Sequence, residues 1–286
     1  MNTKNNPFPV MEYMTVKMIR EYLNRKKSII IPLGVIEQHG YHLPLKTDAL
    51  IAEHLGRMIG EKTDILVAPV MYQSFSGGAC PGTINISPAT MSLVVSDLLV
   101  SLASQGFRNF YLLLCHGGSE NARALDNALK LLLRNNPMFE HVMIALMPVW
   151  KLNSKDVGWN KAFKAHDWHA GWLETSMVMA MEPDKVRMDE MELDKEELVQ
   201  LMEQHPDTYQ RAMKIVDDPF VVPKCEQKPE IQVGVMGRPA KASAELGKEI
   251  NEDLVTNAVR KIKELEEKAD GIYKEVKFTP EPIILE

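Results

Sequence analysis

Short apolar runs rich in β-branched residues alternate along this chain with stretches of helical period, and that alternation constrains its fold more than any other feature. Ser28 to Gly34 (SIIIPLG) reads as a buried strand. From Thr47 the period changes: Leu50, Ile51, His54, Leu55, Met58 and Ile59 recur at helical spacing, with Thr47 or Asp48 as the N-cap. Ile65 to Met71 reads as a second strand. Ser87-Pro88 opens a second helix, whose stripe from Met91 to Leu102 stops before Gly106. Asn109 to Leu114 is a third strand, Ser119 to Asn135 a third helix, and Val142 to Met147 a fourth strand. Strands continuously apolar and separated by helices imply an α/β fold with a largely parallel sheet covered on both faces.

Beyond Pro148 the regularity lapses. Trp150 to Ala170 reads as a long connection with three tryptophans and two histidines, and long loops in compact domains are often functional. A helix follows from about Gly171 to Met181. The charged, proline-interrupted stretch from Pro183 to Gln232 reads as helices with surface connections, a helical insertion around 183–230 of a single domain spanning 1–286. Ile231 to Met236 reads as one further strand and Ala242 to Lys268 as a charged helix, with a tail after it.

Composition excludes several function classes. With 45% hydrophobic and 25% charged residues, the chain is ordinary for a globular protein. A net charge of -6, with no stripe of Lys and Arg, argues against nucleic acid and anionic membranes as partners. No window approaches ~18 apolar residues, so no span is expected. Met1 to Met11 lacks the apolar core of a signal peptide. Cys80, Cys115 and Cys225 are scattered and odd in number, as in a reducing compartment; a cytoplasmic location is the expectation.

The chemistry concentrates after the strands. In Gly34-Val-Ile-Glu37-Gln-His39-Gly-Tyr-His42-Leu-Pro-Leu-Lys-Thr-Asp48, four potential ligands follow the carboxyl end of a strand, where parallel sheets build their sites. In extended backbone Glu37 and His39 point to the same side and reach one cation. Mixed carboxylate and imidazole suits Zn²⁺, Mn²⁺ or Fe²⁺ better than Ca²⁺. Alone, this segment is as readily a self-satisfied polar loop. A second cluster, Cys115-His116-Gly117-Gly118-Ser119-Glu120-Asn121, follows the third strand, and a third runs from His166 to Ser176 with His169 and Glu174 flanking a helix start. Five ligand-type residues from three segments imply a two-metal centre.

EQHGYHLPLKTD resembles the signature of the creatininase family, the creatinine amidohydrolases. CHGGSEN is similar to that family's GHGGN segment and HAGWLETS to its HAGxxETS segment; PGTI at Pro81 and GVMGRPAKASAELG at Gly234 fall in the same order. The likeness covers roughly Ile29 to Ile250. It implies a three-layer α/β/α fold, two divalent metals, a small-molecule substrate and hydrolysis of a cyclic amide or related C–N bond. It also implies a homo-oligomer, with a hexamer as the size. Carried over by position, Glu37 and His39 each serve one metal, Asp48 bridges them, His116 completes the first site and His169 is the catalytic histidine. Creatininase proper has a metal-binding glutamate where this chain has Gly118. Glu174 is the preferred replacement and a second catalytic candidate, with Glu120 the alternative, since two dications call for a third carboxylate. Glu120 falls about 140° round the helix from Leu125, away from the core. Cys115 and Ser119 also depart from the family's usual glycine and asparagine, and Ser74 to Cys80 lacks a histidine that many relatives carry.

Such a metal pair supplies a water activated near neutral pH and a polarised carbonyl, while His169 or a neighbouring carboxylate moves a proton to the leaving group. His42 is expected to orient Asp48 or contact substrate. Cys115 is read as a small buried side chain, His54 as core, His141 and His205 as solvated. Trp150, Trp168 and Trp172 are open between stacking on substrate and packing a loop. Two other readings stay open: ring-opening C–C hydrolysis of a cyclic ketone such as an oxidised inositol, and a non-catalytic metal-stabilised binding protein.

Overall fold

The computed structural model describes residues 10–72 and 74–270. Four parallel strands, β1 (Ser28–Leu33), β2 (Leu66–Val67), β3 (Asn109–Leu114) and β4 (Met143–Pro148), form the central sheet in the order β2-β1-β3-β4. β1 and β3 run side by side for their whole length, Ser28 opposite Asn109 and Leu33 opposite Leu114. Every residue of both strands is buried, which is why neither shows polar alternation. Period-2 geometry then divides them between two cores. Ile30, Tyr111 and Leu113 pack on one face with α2 (Thr47–Thr63), α6 (Trp172–Met181) and α8 (Ala244–Ala269). Ile29, Ile31, Phe110 and Leu112 face the other, with α1 (Val16–Arg25), α3 (Pro88–Ser104) and α4 (Ser119–Asn135). This is the three-layer α/β/α architecture the sequence implies, and no described helix is long and apolar enough to cross a membrane.

Local chemistry fixes the ends. Ser87 caps α3, its Oγ accepting from Thr90 N at 3.2 Å, with Pro88 in the first turn. α2 begins after Lys46 without a side-chain cap, so neither Thr47 nor Asp48 has the capping role expected; Thr47 Oγ1 donates to Pro44 O instead, and Asp48 is left to face the site. At the far edge of the sheet, Ser28, Asn109 and Tyr111 donate to Glu266 Oε1 at 2.6, 2.9 and 2.6 Å, tying α8 to β1 and β3.

Four expectations need correction. The second strand shrinks to Leu66–Val67 plus a bridge from Met71 to Leu33, because Pro69 has no N–H for the ladder. The long connection after Trp150 contains α5 (Gly158–Lys164), a helix too short to show its period. Ile231 to Met236 forms no strand beyond a bridge between Met236 and His169. Asp194 instead accepts the N–H groups of residues 232, 233 and 234, at 2.7, 3.1 and 2.7 Å. The stretch 183–230 holds a helix, α7 (Glu196–Gln204), but also an antiparallel hairpin, β5 (Gln210–Met213) and β6 (Lys224–Gln227). Its strands are short, polar and largely exposed, so no apolar alternation announced them. α1 also went unread; the expected C-terminal tail lies, from 271 onward, outside the described residues.

Gly247 of α8 packs on the Ser176 carbonyl of α6, and a Cβ there would collide with it. Gly247→Ala should cost about 1–3 kcal/mol by forcing these helices apart, lowering Tm by roughly 2–4 °C for each kcal/mol. A variant melting with the wild type would remove that contact from the account.

Candidate active site

The site lies at the carboxyl edge of the sheet. The segment leaving β1 carries Glu37 and His39; α2 returns Asp48 in its first turn; His116 follows β3 by two residues; Glu174 sits in the first turn of α6. The HAGW stretch that presents His169 and Glu174 is held by Asp167, whose carboxylate accepts from the N–H groups of Trp172, Leu173 and Arg238 at 3.0, 3.0 and 3.3 Å. Asp167 thereby does for α6 what its uncapped Gly171 cannot. His166 and Ala170 take positive φ (58° and 51°), backbone strain that such contacts must offset.

All the expected ligands come together. Ligand atoms of Glu37, Asp48 and His116 lie within 4.8 Å of one another, as do those of His39, Asp48 and Glu174, so Asp48 belongs to both groups. His116 Nδ1 stands 3.0 Å from Asp48 Oδ2 and 3.2 Å from Glu37 Oε1. His39 Nε2 stands 3.4 Å from Asp48 Oδ1 and 3.7 Å from Glu174 Oε2. A third group joins Glu37, His39 and His169. Glu120 belongs to none and is exposed on α4, away from its buried face. A Cβ at Gly118 would collide with His116 Nε2, so a side chain there would require the His116 ring to shift.

The donor set fits divalent cations. Three carboxylates are buried together (Glu37 6%, Asp48 2% and Glu174 7% exposed) with no lysine or arginine in either group. Burying such charge without compensation costs several kcal/mol per ion. His39 Nδ1–H donates to Glu37 O at 3.1 Å, leaving Nε2 aimed at two carboxylates without a hydrogen-bond partner. Burial pushes the His39 imidazole down, yet Asp48, Glu174 and Glu37 outweigh it and raise its pKa to about 9. Burial likewise opposes charge on His116, but Glu37 and Asp48 carry it well above the ordinary range. Asp48, despite burial, is held far below the usual carboxylate range by His39 and His116, whereas burial lifts Glu174 above it. The carboxylates thus demand positive charge at both imidazoles, which a pair of dications would supply.

The other sequence readings divide. His42 neither hydrogen-bonds Asp48 nor lines the cavity; its Nε2 meets Thr175 Oγ1 at 3.0 Å beside Glu174, and burial lowers its pKa to about 4, leaving the ring neutral. Cys115 is buried, and burial with the Asp48 and Glu174 charges keeps its thiol protonated. His54 is half-buried and pairs with Glu182 at 3.0 Å rather than entering the core. His141 and His205 are exposed, as expected. Trp150 and Trp168 line a cavity of about 410 Å³ above the site, while Trp172 joins the core. Sequence reading missed Phe75, Trp159 and Tyr209 in that lining, and Ser76, whose hydroxyl donates to Glu37 Oε2 from the stretch that lacks the family's histidine.

Known proteins resemble this chain in sequence and in fold. The family model described as creatinine amidohydrolase matches residues 12–262. The creatinine amidohydrolase of Pseudomonas putida is 28% identical over 182 residues, 56% of this chain and 66% of that enzyme. The mycofactocin precursor peptide peptidase of Mycolicibacterium smegmatis is 27% identical over 253 residues, 85% of this chain and 87% of that one. A solved structure described as creatininase with Mn superposes with a TM-score of 0.70 at 21% identity, covering 90% of this chain and 98% of that chain. The chain belongs to the creatininase family and is a hydrolase of that family.

Proposed function

We propose that this protein hydrolyses a small cyclic amide or a related C–N bond with two divalent metal ions. The observation that carries this reading is the pair of buried ligand groups that share Asp48. Glu37, Asp48 and His116 would hold one ion and His39, Asp48 and Glu174 the other, with Zn, Mn or Fe as the metal. Bound there, the ions supply a water acidified towards ~7 and a polarised carbonyl.

The chain's own groups do the rest. His169 Nε2 must donate to the carbonyl of Gln38, 2.8 Å away, since that oxygen only accepts. Its Nδ1 therefore carries the lone pair, on the side of Glu37 Oε1 at 3.8 Å, where it takes a proton and returns it to a leaving nitrogen. Its ring packs 4.3 Å from that of His39, which fixes its plane. Glu174 Oε2 accepts from Ala170 N at 2.7 Å, so the carboxylate that serves the second group also steadies the turn bearing His169. Trp150 and Trp168 give a planar substrate an apolar wall.

Assay of metal-loaded protein against lactams and cyclic ketones tests the reading. We expect lactam hydrolysis that chelation abolishes and added metal restores. Ring opening of ketones alone would replace the amide by the C–C reaction. His169→Ala should lower kcat by ~10²–10⁴-fold while keeping its metal; full activity would remove the proton-transfer role. The reading includes a homo-oligomer, a hexamer by family resemblance, which light scattering of a stable monomer would contradict.

A further inference from the structure

The cavity above the metal-ligand groups has a floor and a mouth of different character. Its floor holds the buried carboxylates of Glu37, Asp48 and Glu174. At its mouth stand Glu120, at the start of α4, and Asp207, between α7 and the β5–β6 hairpin; both are exposed. No lysine or arginine lines the cavity anywhere among the described residues.

Among the described residues, Glu120 has no ion pair or hydrogen bond to another side chain. Among the described residues, the Asp207 carboxylate meets a long bond from Ser119 Oγ, at 3.3 Å, and a 4.0 Å approach from His205 Nδ1. Both lie close enough to Tyr209 that, after burial, their charges help raise its hydroxyl pKa to about 12. Aromatic rings make up much of the remaining wall, Trp150, Trp168 and Tyr209 among them, with Trp168 5.1 Å from Phe163. Carboxylates without cationic partners, set among aromatic faces, attract a cation by charge and by the ring quadrupole. The cavity, at about 410 Å³, is within the range that encloses drug-sized ligands, so a substrate can span it from floor to mouth.

We propose that this pocket selects amides that carry a cationic group, an ammonium or guanidinium, seated at the mouth between Glu120, Asp207 and the aromatic wall. The amide end then lies over the floor. Only that amide end rests on the hydrolase reading; the cation subsite is testable without turnover.

Benzylammonium and the neutral benzyl alcohol, titrated against the metal-loaded full chain by quenching of tryptophan fluorescence, provide the test. Benzylammonium should bind about tenfold more tightly than the alcohol, with the advantage shrinking as salt is added. Combining Glu120→Gln with Asp207→Asn should abolish that advantage while metal content and affinity for the alcohol stay unchanged. Among amides differing only at the far end, the ammonium form should show the lower KM at similar kcat. Equal binding of the two probes, or an advantage that survives in the double variant, would overturn the proposal. Cation binding without hydrolysis of any amide would uphold the subsite and remove the amide reading. Amide hydrolysis indifferent to the cationic group would do the reverse.

Discussion

Asp48→Ala should leave the protein with about one metal equivalent or none where the wild type should bind about two, and without measurable hydrolysis. Asp48 is the only residue common to the Glu37/His116 and His39/Glu174 groups, and its two oxygens face different histidines, Oδ2 towards His116 and Oδ1 towards His39. Losing it would remove a donor from both groups and a negative charge from the place where the two proposed ions would meet, so their mutual repulsion would no longer be screened. The side chain is 2% exposed, and alanine is accommodated at a helix position without strain. Metal analysis of purified wild type and variant checks this; equal metal content in both would end the bridging role.

Glu174→Gln should lose about one metal equivalent and nearly all activity, whereas Glu120→Gln should keep both metals. Glutamine preserves the shape of Glu174 and one acceptor for Ala170 N, so the turn carrying His169 survives while the charge 3.7 Å from His39 Nε2 is gone. Glu120 lies in neither ligand group and is exposed on α4. Parallel metal analysis with circular dichroism separates lost ligand from lost fold. Metal loss in Glu120→Gln with retention in Glu174→Gln would move the third carboxylate to α4.

Much of this was legible in the sequence because the governing signals are local. Continuous apolar runs such as SIIIPL and NFYLLL identify strands buried on both faces, and the residues just beyond them fall at the sheet's carboxyl edge by topology alone. Topology brought the three segments together, and the resemblance to the creatininase motifs picked Glu37, His39, Asp48, His116 and Glu174 out of them. Helical geometry sufficed to turn Glu120 outward. What stayed hidden depends on contacts between distant segments. Ser76 reaches Glu37 across 39 residues, and Asp167 acts through backbone N–H groups that carry no sequence signature. The hairpin of QRAM and KCEQ is held by cross-strand pairing such as Arg211 with Glu226, not by an apolar face. His42 meets Thr175 rather than Asp48, a choice fixed by where α6 packs.

Crystals soaked in Mn²⁺ and measured by anomalous scattering would test the central claim most directly. The account expects two peaks, one within ligand distance of Glu37, Asp48 and His116 and the other of His39, Asp48 and Glu174, about 3.5–4 Å apart. A single peak, or peaks that leave Asp48 out of contact with either ion, would contradict it.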